Sequence, residues 1–145
     1  MKKELCAGII GAIGGAIAQL FGGWSTGIGT LLILMALDWI TGLMVAGVFQ
    51  KSKKTESGGL SSSIGLKGIC KKVMMLIIVV IAYRFDLILN YNYIRDAVVI
   101  ALSLNEAISI LENAGLMGIK IPKILSKAID LLMTKAGEKE EEDEE

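Results

Sequence analysis

Three ionisable residues, Asp38, Arg84 and Glu106, are set inside long apolar stretches of the chain. Two carboxylates and a guanidinium in an apolar medium have two stable options: they pair, or they face water. An isolated charge in hydrocarbon costs from about 2.5 kcal/mol to far more. Their spacing brings them to one level. Asp38 lies 12 residues before Gln50 and Arg84 lies 12 after Lys72, and Gln50–Lys72 is the polar loop between their two helices. At 1.5 Å per residue both fall about 18 Å from that end of an antiparallel pair. Glu106 falls in the middle of the next apolar segment, at similar depth. One reading is an Asp38–Arg84 ion pair that holds helices together. The other is a set of groups that becomes the wet wall of a pore when subunits associate. Thr41 and Asn105 add polar atoms that can bond across helices.

Other chemistry is missing from the sequence. There is no histidine, and Cys6 and Cys70 stand in no metal-ligand spacing. No phosphate-binding loop and no nucleophile elbow is present. The residues therefore predict neither an enzyme, nor a cofactor, nor a metal site. Fifteen basic residues balance fifteen acidic ones, which argues against nucleic acid as a partner.

The elements that must position the three charges are apolar helices. The chain has 145 residues, 53% of them apolar, and its charges are clumped. Not one charge occurs between Leu5 and Leu37, a stretch of 33 residues and about the length of two membrane crossings. The pattern predicts an all-α integral membrane protein with four apolar segments, at 5–24, 28–49, 73–93 and 97–111. The opening Met1-Lys2-Lys3-Glu4 and the run behind it read as a retained span, not a cleaved signal. The first segment is rich in small residues. Gly11 and Gly15 form a G-x-x-x-G pair, and Gly8, Ala12 and Ala16 make a neighbouring stripe, which suits close helix association in lipid. Trp24 and Tyr91–Tyr93 suit a membrane interface. Lys51, Lys53, Lys54, Lys67, Lys71 and Lys72 make the Gln50–Lys72 loop basic and suited to anionic lipid. From Pro122 to residue 136 an amphipathic helix is expected to lie on the bilayer. The acidic run 138–145 reads as a solvated, disordered tail behind a single membrane domain, 1–137.

Positive residues set the orientation. If all four segments cross, the amino terminus, the basic loop and the carboxyl end share one side and hold 13 of the 15 basic residues. If the fourth does not cross, the lysines split far more evenly. Four crossings with both termini cytoplasmic is the favoured arrangement.

Several short motifs are familiar in this order. Asp38-Trp39-Ile40-Thr41-Gly42 closes an apolar run. Ser62-Ser63-Ile64-Gly65-Leu66-Lys67-Gly68-Ile69-Cys70-Lys71-Lys72 precedes the next one. Asn105-Glu106-Ala107-Ile108-Ser109-Ile110-Leu111-Glu112-Asn113 follows, and then Gly118-Ile119-Lys120-Ile121-Pro122. Over roughly Leu20 to Lys135 the series resembles the toxin-secretion/phage-lysis holin family of Gram-positive phages and bacteria. The resemblance implies a protein that accumulates in the cytoplasmic membrane and assembles with copies of itself. It then opens lesions that release an endolysin or a large toxin. It carries over Asp38, Thr41, Gly42, Ser62, Gly65, Gly68, Lys71, Lys72, Asn105, Glu106, Ser109, Glu112 and Asn113 without assigning any of them a catalytic role. The acidic run at the carboxyl end departs from the family's more basic or mixed tails. The residues alone also admit a small ion channel, a transporter subunit or a non-conducting scaffold.

Overall fold

The computed structural model describes residues 1–142. Five helices and no strand occur among the described residues. Helix α1 is Lys2–Leu20, α2 Thr26–Gly47, α3 Ser62–Leu89, α4 Ile94–Leu116 and α5 Lys123–Glu142.

Each boundary has a local cause. After α1 the chain turns at Gly22 and Gly23, with φ of 77° and 92°. Gly22 is required twice over, because a Cβ there would also collide with the Tyr83 ring. Ser25 then caps α2, its hydroxyl accepting from the Ile28 amide at 3.2 Å. Helix α3 ends at Asn90, which takes the left-handed conformation, and the Tyr91 amide closes the turn on the Asp86 carbonyl at 2.8 Å. After α4 the chain turns at Gly118 with φ of 86°, and Pro122 stands just before α5.

The core is small and lies between three helices. Ile28, Leu31 and Met35 of α2 meet Met75 and Val79 of α3 and Val99 of α4. Helix α4 is the hub, packing closely on α2, α3 and α5. Small residues bring α2 and α4 together. The Cβ position of Gly27 is 3.3 Å from a Val99 methyl, and that of Gly42 is 3.9 Å from the Asn113 amide nitrogen. Residue number rises in the same direction in both contacts, so α2 and α4 run parallel. Most large apolar side chains lie outside this core, including Ile33, Phe85 and Ile88. So broad an apolar exterior is rare on a soluble monomer. Helices α1 and α2 are long and apolar enough to cross a membrane.

The structure corrects several expected boundaries. Helix α3 starts at Ser62, 11 residues before the expected Val73, and absorbs Lys67, Lys71 and Lys72 from the basic loop. Ser61 stands at its N-cap in extended conformation, and a Cβ at Gly65 or Gly68 would meet no atom within 4 Å. Helix α4 has 23 residues where 15 were expected. It gains residues at both ends because Asp86 caps its start and its polar end finds partners on α2. Helix α5 runs on to Glu142, so most of the acidic run continues a helix instead of forming a disordered tail. Glu and Lys are good helix formers, which composition read as disorder overlooks. The last part of the expected tail, 143–145, lies outside the described residues.

Candidate intramembrane polar site

Near the middle of α2, α3 and α4 one side chain from each helix meets the others. Lys72 of α3 donates to Asp38 of α2 at 2.9 Å and to Glu106 of α4. Glu106 is 3% exposed, and the side chains of Asp38 and Lys72 are 13% and 15% exposed. Asn113, two turns further along α4, donates to the Thr41 hydroxyl at 2.9 Å and reaches Asp38 at 3.4 Å. Thr41 in turn donates to the Asp38 carbonyl at 3.1 Å. Among the described residues no buried side-chain nitrogen or oxygen lacks a partner.

The site is a buried ion triad with an amide–hydroxyl clasp beside it. One ammonium faces two carboxylates, so with every group ionised the set carries one net negative charge. A buried pair held this way is weak evidence of added stability, but removing one partner strands the rest. The arrangement offers no nucleophile poised beside a base, and no metal-binding cluster is found among the described residues.

Arg84 is not the partner of Asp38. It lies exposed, 12 residues beyond Lys72 on α3, or about 18 Å along the helix axis. The pairing predicted from sequence counted depth from the wrong residue, because α3 begins well inside the presumed loop. Lys72 accordingly leaves the basic surface set, whereas Lys51, Lys53, Lys54, Lys67 and Lys71 are exposed. Asn105 is also exposed and stays out of the triad. Gly42 packs beside Asn113, as a close-contact glycine should. Gly8, Gly11 and Gly15 meet no atom within 4 Å of an added Cβ, and Ala12 and Ala16 are exposed. Within one chain the small-residue face of α1 is therefore unpartnered.

A second polar cluster closes the end of the bundle that holds the α1–α2 and α3–α4 turns. Asp86 is 5% exposed, and its two oxygens accept from the Ile94 and Arg95 amides, each at 2.9 Å. That doubly satisfies the start of α4. Arg95 donates to the Phe21 and Gly22 carbonyls at 3.0 and 3.1 Å, pairs with Asp96 at 2.8 Å and lies 6.0 Å from the Tyr83 ring centre. These bonds tie the α1–α2 turn to α4. Sequence reasoning assigned no role to Asp86. Its signal was an acid at the end of an apolar helix, eight residues before the next helix start.

Comparison with known proteins gives one consistent picture. A family model described as the bacteriophage holin family matches residues 15–134. An uncharacterized protein of Listeria monocytogenes, Lmo0128, is 41% identical over 142 residues, covering 97% of this chain and 95% of its own. An uncharacterized protein of Clostridium perfringens, CPE0383, is 34% identical over 125 residues, 85% of this chain and 87% of its own. A protein of Bacillus phage phi105 named as a probable holin is 28% identical over 116 residues, 79% of this chain and 80% of its own. No solved structure gives a significant match.

Proposed function

This chain belongs to the bacteriophage holin family, and from that premise we propose that it oligomerises in the bacterial cytoplasmic membrane and opens lesions there. The lesions release an endolysin or a large toxin held in the cytoplasm. The family is not an enzyme family, and the role needs no cofactor. One observation carries the reading furthest: a satisfied polar triad, Asp38–Lys72–Glu106, at the middle of three helices whose outer surface is largely apolar, Lys71 and Asn105 being exposed exceptions at that level. Such a subunit is soluble in lipid while the triad is closed, and it carries the groups needed to face water once the helices separate.

In the proposed topology α1 to α4 all cross, and both termini and the Lys51–Lys54 region lie in the cytoplasm. With Lys72 in the triad and Lys71 on the same turn of α3, 11 lysines lie toward the cytoplasmic side against Arg84 and Arg95 on the other, which keeps the positive-inside bias. Monomers accumulate with the triad paired. Crowding then brings the small-residue face of α1, which has no partner in its own chain, against neighbouring copies. Contact between subunits separates α2, α3 and α4, and Asp38, Lys72, Glu106, Thr41 and Asn113 turn toward shared water. Depolarisation biases this step by at most about 2.3 kcal/mol per 100 mV for each charge that crosses the whole field.

The test is induction in bacteria with a cytoplasmic endolysin present or absent. Abrupt lysis only with both supports a protein-sized lesion. Loss of membrane potential without lysis would overturn it in favour of an ion-conducting channel. No effect, with the protein confirmed in the membrane, would favour a scaffold.

A further inference from the structure

Arg84 is the one of the three charges singled out from the sequence that the triad does not absorb. It is exposed, and among the described residues it has no hydrogen-bond or ion-pair partner. It borders a cleft of about 360 Å³ between the end of α1 and α3, lined also by Gln19, Gly23, Tyr83 and, on the apolar side, Ala16 and Leu20. The Gln19 amide and the Tyr83 hydroxyl have no hydrogen-bond partner there either. No carboxylate lines the cleft. The nearby Arg95 is already engaged by Asp96 and by two carbonyls.

Depth indicates what fills it. Asp38 stands near the middle of α2, and Arg84 is about 18 Å beyond the triad along α3. Half of a 30 Å hydrocarbon core is about 15 Å, so the guanidinium reaches the headgroup layer. It does so at the level of the α1–α2 turn, where Trp24 is exposed, as an interfacial tryptophan would be. A planar guanidinium with an amide and a phenol beside it suits a phosphate monoester or diester. An apolar wall directly beneath suits the acyl chains attached to it.

We propose that this cleft binds the phosphate of an anionic phospholipid in the outer leaflet, with Arg84 as the main contact and Gln19 and Tyr83 completing the set. The proposal rests on the four-crossing membrane reading, and its test does not depend on lysis. The full chain would be purified in detergent with Lys51, Lys53 and Lys54 changed to Gln, which weakens binding at the opposite surface. Retained phosphatidylglycerol would be counted by native mass spectrometry, against phosphatidylcholine and against inorganic phosphate as competitor. Arg84→Gln is expected to lower phosphatidylglycerol retention at least tenfold, Arg84→Lys to restore part of it, and Gln19→Leu to lower it by less. Helical circular dichroism checks that each variant is folded, and the Gln19→Leu result stands if Arg84→Gln does not fold. Retention unchanged in both Arg84→Gln and Gln19→Leu would overturn the site. Full displacement by equimolar inorganic phosphate would overturn the lipid assignment in favour of a free-anion site. A chain that retains lipid through Arg84 yet never lyses cells keeps this site and loses the holin reading.

Discussion

Replacing Lys72 by Met is the sharpest test of the triad. The substitution keeps the length of the side chain and removes its charge, leaving Asp38 and Glu106 buried with no cation between them. Breaking a buried ion pair by removing one partner typically costs about 3–5 kcal/mol. That is a shift of about two to three and a half powers of ten in the ratio of folded to unfolded protein. The neighbouring Lys71 is exposed on the same turn of α3, so Lys71→Met is expected to change stability by no more than about 0.5 kcal/mol. Arg84→Met should be equally mild, since no partner is left behind. The triple variant Asp38→Leu, Lys72→Met, Glu106→Leu removes all three charges together and should be near neutral or up to about 4 kcal/mol more stable. Reversible unfolding in mixed detergent micelles, followed by helical circular dichroism, measures all four. Lys72→Met within about 1 kcal/mol of the parent would refute the reasoning, as would Lys71→Met matching Lys72→Met. Lysis adds a second reading. On the proposed mechanism the triple variant should insert and accumulate yet fail to open the membrane, having lost the charges proposed to face water.

Other substitutions probe the rest of the frame. Asp38→Leu leaves Lys72 and Glu106 as a matched pair and should cost about 1–3 kcal/mol, less than Lys72→Met in the same unfolding assay. Asp86→Ala removes both side-chain bonds to the start of α4 and should cost about 2–3 kcal/mol, with hydrogen exchange accelerated first at Ile94 and Arg95. Gly22→Ala combines a disfavoured φ with the Tyr83 collision and is expected to lower stability by about 1–3 kcal/mol, read as a lower melting temperature. Gly11→Leu meets nothing within its own chain, so monomer stability should hold or rise slightly, while lysis in cells should be delayed. Unchanged lysis timing would remove that face of α1 from assembly.

The sequence made the large features legible and misplaced the partner. Helix α2 was readable because 22 residues with a single charge leave few alternatives, and its observed span differs from the expected one by two residues at each end. Asp38 and Glu106 were readable for the same reason: a lone acid in an apolar run must be satisfied. The start of α3 was not, because serines, glycines and lysines between 61 and 72 read locally as loop. Only packing against α2 and α4 reveals that Lys72 faces inward while Lys71 faces out. An error of about ten residues at that boundary is about 15 Å of depth, enough to exchange Lys72 for Arg84 as the partner. The role of Asp86 was invisible for a different reason. It depends on the chain reversing through Asn90, so that α4 begins directly over a carboxylate on the preceding helix.

The parallel packing of α2 and α4 also has a consequence for how the protein is made. Asp38 is 34 residues ahead of Lys72, and Lys72 is 34 ahead of Glu106. At about 5–20 residues per second, the ribosome delivers Lys72 about 2–7 s after Asp38, and Glu106 after as long again. The carboxylate of α2 is therefore made seconds before the ammonium that will hold it. The hub helix arrives last, and with it the side chains that close the set. Each chain passes through an unfinished stage in which its polar groups are open, and only a completed α4 turns it into a quiet resident of the membrane.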